Sequence, residues 1–199
     1  MKPFLRLLPN AVTLARIAGS VVFIRILCGG LFEHTVYLSP ALYLLGVFIW
    51  LSDFADGRLA RALRVESAIG ARMDILADCS FIFPTLVVFN LSGIVPVWFT
   101  VVAALDFTGF LLTSRWLRKA PREPKPLFVF DRLGRLAAAL FYTAPMLACE
   151  TINYSALSGV LSAVFYLTAF LAAVSMAARF RTCLVRLPRL HADLKIDRL

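Results

Sequence analysis

The sequence predicts an all-α integral membrane protein with six transmembrane helices and both termini on the cytoplasmic side. Three observations carry this. The chain is 60% hydrophobic over 199 residues, with mean hydropathy +0.81, whereas a soluble domain is about half apolar. Six segments approach the roughly 20 mostly apolar residues that a spanning helix needs. Lys and Arg occupy alternate connections between those segments.

The spans are expected at about 10–32, 40–63, 69–91, 94–116, 133–149 and 154–180. Before them, MKPFLRLLPN lacks the uninterrupted apolar core and cleavage site of a signal peptide. Residues 1–9 read as a short interfacial helix, with Lys2 and Arg6 toward headgroups. Arg16 and Arg25 lie inside the first span, where each can snorkel to an interface; Arg25 reads as structural, and a site role stays equally open for Arg16. Pro84 and Pro145 should kink the third and fifth spans. Asp106 stands within the fourth, where an unpaired carboxylate is costly. Residues 118–131, rich in Pro, Arg and Lys, read as a surface elbow, and 184–199 as a basic cytoplasmic tail. At this length one membrane domain covering 1–199 is the default.

The charge pattern sets topology. Arg58, Arg61, Arg64 and Arg72 flank the second connection. Seven cations from Arg115 to Arg135 flank the fourth, and six from Arg179 to Arg198 follow the core of the last span. The other three connections hold no Lys or Arg. Such alternation places both ends in the cytoplasm and requires an even number of spans. The net charge of +9 is thus explained by topology, and no nucleic-acid partner is expected, because the cations lie between apolar runs instead of along one soluble face. Cys28, Cys79, Cys149 and Cys183 form no CxxC pair and read as small apolar fillers.

Only 12 acidic residues occur beside 17 Phe, so the acids need a reason. Where the second and third spans meet, the chain reads LSDFADGRLARALRVESAIGARMDILADCS. Asp53 and Asp56 are three residues apart, Asp74 and Asp78 four. On a helix each pair projects from one face, separated along the axis by roughly 4.5 and 6 Å. Four carboxylates in apolar helices raise one another's pKa unless cations compensate them. Oxygen-only ligands favour Mg²⁺, Mn²⁺ or Ca²⁺ over zinc, and two such ions can clamp a pyrophosphate; Mg²⁺ or Mn²⁺ is the expected cofactor. Gly57, Ala60 and Gly70 let a ligand approach the helix backbones, and Arg61 reaches a phosphate.

The order Asp53-x2-Asp56-Gly57-x2-Ala60-Arg61-x8-Gly70-x3-Asp74-x3-Asp78 resembles the complete signature of the CDP-alcohol phosphatidyltransferase family. Pro9-Asn10-x2-Thr13-x2-Arg16 is similar to that family's first helix. A single acid at a helix end is usually only an interfacial anchor, but eight signature positions in register are not explained that way. The resemblance implies transfer of a phosphatidyl group from CDP-diacylglycerol to a small alcohol with release of CMP. It implies a two-metal site on Asp53, Asp56, Asp74 and Asp78, with Asp78 also the general base. Asp56, Gly57, Ala60, Arg61 and Gly70 would cradle the CDP moiety, and the enzyme would be a homodimer. The expected location is a bacterial cytoplasmic membrane, with the site facing the cytoplasm and membrane lipids around it.

The acceptor is less legible. Arg115 ends the fourth span and Arg135 opens the fifth, and Gly134-Arg135 is similar to a Gly-Lys pair in phosphatidylglycerophosphate synthases. Cationic grips suit a phosphorylated acceptor. Glycerol 3-phosphate is therefore the expected acceptor, with inositol phosphate or another alcohol as the alternative. Membrane ion transport is the reading from a different class. Transporters place charges near the midplane, often on broken helices or inverted repeats; here the acids sit in the cytoplasmic third and no repeat is visible.

Overall fold

The computed structural model describes residues 4–32, 40–62, 68–118 and 132–196, and side chains at 11–32, 40–52, 69–116 and 132–184. These residues form α1 (Phe4–Phe32), α2 (Pro40–Ala62), α3 (Ala68–Leu91), α4 (Val97–Arg118), α5 (Arg132–Asn153) and α6 (Ser158–Ile196), with one 3₁₀ turn at Ser155–Leu157. No strand occurs among the described residues. The expected elbow at 119–131 lies outside them.

Among the described residues four stretches are long and apolar enough to cross a membrane: Ala11–Phe32, Ile69–Leu91, Val97–Trp116 and Ser155–Leu184. Pro40–Ser52 is a shorter apolar helix, and α5, at 22 residues, does not reach the same apolarity. Only 22–33% of the four spanning windows is buried. The outward faces carry Leu44, Val47, Phe48, Leu105, Leu112, Tyr166 and Phe170. In water such a surface would be an aggregation hazard; lipid is the solvent that suits it.

Two boundaries differ from the sequence reading. α1 is already helical at Phe4, so residues 4–9 continue into the first span instead of forming a separate helix; their side chains lie outside the described residues. α6 runs on to Ile196, so most of the basic tail prolongs the last helix. The helices also continue through Pro84 and Pro145.

The chain divides into two compact units. The first comprises 1–97 and 142–162. In it α1 packs against both α2 and α3. The face of α1 that does so is read off directly: Thr13, Arg16, Ser20, Phe23 and Leu27 are all buried, at alternating spacings of three and four. Phe23 meets Phe81 of α3 edge-on at 5.3 Å, and Phe81 stacks on Tyr142 of α5 at 4.9 Å. On α2 the buried positions are Leu42, Gly46 and Ile49. A Cβ at Gly46 would overlap the end of the Met146 side chain, so glycine there admits close approach of α5. The Asn153 amide nitrogen donates to the Tyr43 hydroxyl at 2.7 Å, tying the start of α2 to the end of α5. α3 closes on Gly93 at φ +74°, in the left-handed region that favours glycine.

The second unit comprises 98–141 and 163–199. Phe99 of α4 packs on Phe165 of α6 at 4.4 Å and Phe141 of α5 at 5.3 Å. Toward the other end of α6, Arg179 is buried, not free at the surface as its place among the topology-setting cations implied. Its Nε donates to Thr113 Oγ1 and its Nη2 to Ser114 Oγ, each at 3.0 Å. Thr113 in turn donates to the Gly109 carbonyl at 2.7 Å. The guanidinium also lies 4.8 Å from the Phe110 ring centroid. Arg179 thus fastens α6 to α4. Hydrogen bonds to a charged group contribute about 1.5–3 kcal/mol each. Arg179→Met is therefore expected to lower the midpoint of thermal unfolding in detergent by several degrees, with Arg179→Lys intermediate; equal midpoints for all three proteins would show that this network does not stabilise the fold.

Candidate active site

Asp74 and Asp78 lie one turn apart on α3, on the face that also carries buried Ala77 and Phe81. That face meets α1. The Thr13 hydroxyl donates to Asp74 Oδ1 at 3.0 Å. Arg16 is wholly buried and reaches both carboxylates: Nη2 is 3.7 Å from Asp74 Oδ1, and Nη1 is 3.7 Å from Asp78 Oδ1. Nη2 also lies 3.5 Å from the Asp74 main-chain carbonyl. The carboxylate side chains nevertheless remain 40% and 35% exposed. Because Asp78 Oδ1 is itself buried, the exposure of that side chain lies on its other atoms. The pair is backed by cation and hydroxyl on one side and open on another.

Gly70 sits one turn before Asp74 in the first turn of α3, half-buried. The remaining signature residues, Asp53, Asp56, Gly57, Ala60 and Arg61, fall in the last three turns of α2; their side chains lie outside the described residues. In the sequence, the spacing of the buried α2 positions counted on from Ile49 falls on Asp53, Asp56 and Ala60. The structure thus places the signature on α2 and α3, the two helices that flank α1, and describes two of its four carboxylates.

Arg115, in the last turn of α4, and Arg135, in the first turn of α5, are both exposed and belong to the second unit, whereas the carboxylates belong to the first. Asp106 is half-buried on α4, and Arg25 is exposed on α1. The sequence reading left Arg16 without an assigned task and gave Thr13 none. The available signal was their motif spacing; the buried face of α1 and its partner helix were not in the sequence.

Among the described residues no group of three or more His, Cys, Asp or Glu stands together as a metal site, so the described half of the candidate site is the carboxylate pair alone. Its donors are carboxylate oxygens only, two of them one helical turn apart, partly open, with their charge balanced from behind. That donor set suits a hard cation such as Mg²⁺ or Mn²⁺.

A transferase signature on two helices of a helical membrane bundle defines a class, and the whole-chain comparison agrees with it. The chain belongs to the CDP-alcohol phosphatidyltransferase family, whose model matches residues 6–184. Among curated proteins it is similar to a putative cardiolipin synthase of Mycobacterium tuberculosis, 36% identical over 118 residues, covering 57% of this chain and 54% of that protein. It is similar to a cardiolipin synthase (CMP-forming) of Streptomyces coelicolor, 32% identical over 141 residues, covering 70% and 64%. It also resembles the CDP-diacylglycerol–glycerol-3-phosphate 3-phosphatidyltransferase of Bacillus subtilis, 30% identical over 103 residues, covering 48% and 53%. The chain thus spans between about half and just under two thirds of these relatives. No solved structure matches it significantly.

Proposed function

We propose that the protein transfers a phosphatidyl group from CDP-diacylglycerol to a hydroxyl of a glycerol phosphate, releasing CMP, in phospholipid synthesis. The observation that carries this reading is the half-open carboxylate pair Asp74–Asp78 on the signature helix, braced by Thr13 and Arg16. The full site comprises Asp53, Asp56, Asp74 and Asp78 as ligands of two divalent cations, with Asp56, Gly57, Ala60, Arg61 and Gly70 around the CDP moiety. When bound, the cations supply charge neutralisation for the pyrophosphate and for the departing CMP. Asp78 accepts the proton of the attacking hydroxyl on a carboxylate oxygen. The acceptor oxygen forms a bond to the phosphorus that carries the diacylglycerol, and the bond from that phosphorus to CMP breaks. Gly57, Ala60 and Gly70 leave room for the donor against the backbone, and Arg61 orients its phosphates.

The chain forms one catalytic membrane domain with six spans and both termini in the cytoplasm, in a bacterial cytoplasmic membrane and as a homodimer. The alternation of Lys and Arg between connections supports the topology. Exposed Arg115 and Arg135 favour glycerol 3-phosphate as the acceptor, because a phosphomonoester needs cationic grips. The names of the mycobacterial and streptomycete relatives favour a second reading, in which the glycerol hydroxyl belongs to phosphatidylglycerol and the product is cardiolipin.

CMP release from CDP-diacylglycerol by the purified protein, with glycerol 3-phosphate, phosphatidylglycerol or inositol phosphate supplied one at a time, tests the reading and chooses the acceptor. With glycerol 3-phosphate, Arg135→Ala is expected to raise the acceptor KM about tenfold or more, the loss of one charge-assisted phosphate contact. The donor KM should hardly change. Equal effects on both substrates would make Arg135 structural. A folded protein that releases no CMP with any acceptor overturns the function.

A further inference from the structure

α1 carries none of the eight signature positions, yet it supplies the groups that touch two of the signature carboxylates. We propose that Arg16, assisted by Thr13, is a positioning residue of the reaction centre: its guanidinium, held behind Asp74 and Asp78, fixes the orientation in which the two carboxylates receive a divalent cation. This rests on the reading of those carboxylates as cation ligands.

The argument begins with cost. Arg16 is 0% exposed on a helix that crosses the membrane. A buried guanidinium is expensive there, and an ion pair of this kind is rarely more stabilising than apolar packing of the same volume. Stability alone does not account for an arginine at this position. Its geometry does. Asp74 and Asp78 are spaced about 6 Å along the helix axis, and Arg16 presents a different terminal nitrogen to each, both at 3.7 Å. A planar fork can span two carboxylates in this way; the point charge of a lysine cannot. At 3.7 Å the contacts are ion pairs longer than hydrogen bonds, so the guanidinium sets the direction of each carboxylate through its charge. Thr13 adds a directional contact, donating to Asp74 Oδ1 at 3.0 Å. Partners of this kind behind metal-binding carboxylates typically change cation affinity by about 10- to 100-fold when removed.

A rival role has the opposite sign. If Arg16 were only a counter-charge, it would compete with an incoming cation, so Arg16→Gln would tighten cation binding and Arg16→Lys would leave it unchanged. Positioning predicts weaker binding in both. The experiment is Mn²⁺ titration of the purified protein in detergent without substrate, with free Mn²⁺ read by electron paramagnetic resonance and folding checked by thermal unfolding in chelator. Arg16→Lys and Arg16→Gln are expected to weaken Mn²⁺ binding about tenfold or more, and Thr13→Val severalfold. Thr13→Val preserves side-chain size and decides the matter if the Arg16 variants do not fold. Unchanged affinity in the folded variants, or tighter binding by Arg16→Gln, overturns the proposal while leaving the proposed function standing. Absence of Mn²⁺ binding by the unsubstituted protein overturns both.

Discussion

Asp78→Asn is expected to lower kcat by about 10²- to 10⁴-fold, the usual loss when a general base is removed, while binding of CDP-diacylglycerol largely survives. The amide keeps the size of the carboxylate but cannot take a proton from the acceptor hydroxyl. Asp78 suits that task better than Asp74 does. It lies one turn deeper along α3, and the Thr13 hydroxyl is committed to Asp74 Oδ1 at 3.0 Å. Asp53→Asn should behave differently, weakening cation and donor binding together. The comparison needs donor affinity by titration and kcat by CMP release for each variant. Near-normal kcat for Asp78→Asn would remove it from the role of base even if it remains a cation ligand.

Chelation of divalent cations is expected to abolish turnover, and Mg²⁺ or Mn²⁺ to restore it. On the proposed reading, transfer would place two phosphates of the donor beside the four signature carboxylates in apolar surroundings. Like charges a few ångströms apart repel by several kcal/mol at the effective dielectric of a protein surface, about 4 kcal/mol for one pair at 4 Å. One buried guanidinium cannot offset that sum. Arg16 balances part of the charge on Asp74 and Asp78, so the helices should stay folded in chelator even though the reaction stops. The measurement pairs CMP release with thermal unfolding in EDTA. Full turnover in excess chelator would sink the two-cation reading, whereas unfolding in chelator would make the cations structural instead.

The acceptor is the part that neither the sequence nor its relatives' names determine. The candidate grips, Arg115 and Arg135, are exposed at helix ends, where topology alone also places cations. Residue type and exposure do not distinguish an anchor from a phosphate grip; a KM effect confined to one substrate does.

By itself the sequence determined the helical class, the apolar stretches and the eight signature positions, because these are local properties: composition, run length and spacing at three and four residues. Which face of α1 is buried, the one carrying Thr13, Arg16, Ser20, Phe23 and Leu27, came only with the packing, because apolar residues surround most of that span. Helix ends were less legible. No strong breaker separates the first residues from α1, and propensity alone does not say whether a basic tail continues a helix, as it does through Ile196. What only the tertiary structure decided is which residues distant in the chain meet. Arg16 reads as a snorkelling arginine until α3 is packed on α1 and brings Asp74, 58 residues away, and Asp78 to its guanidinium. Arg179 reads as a surface cation until α4 brings Thr113 and Ser114, 66 and 65 residues away, within 3.0 Å. Periodicity along one helix cannot name the neighbouring helix; only packing states what a buried charge meets.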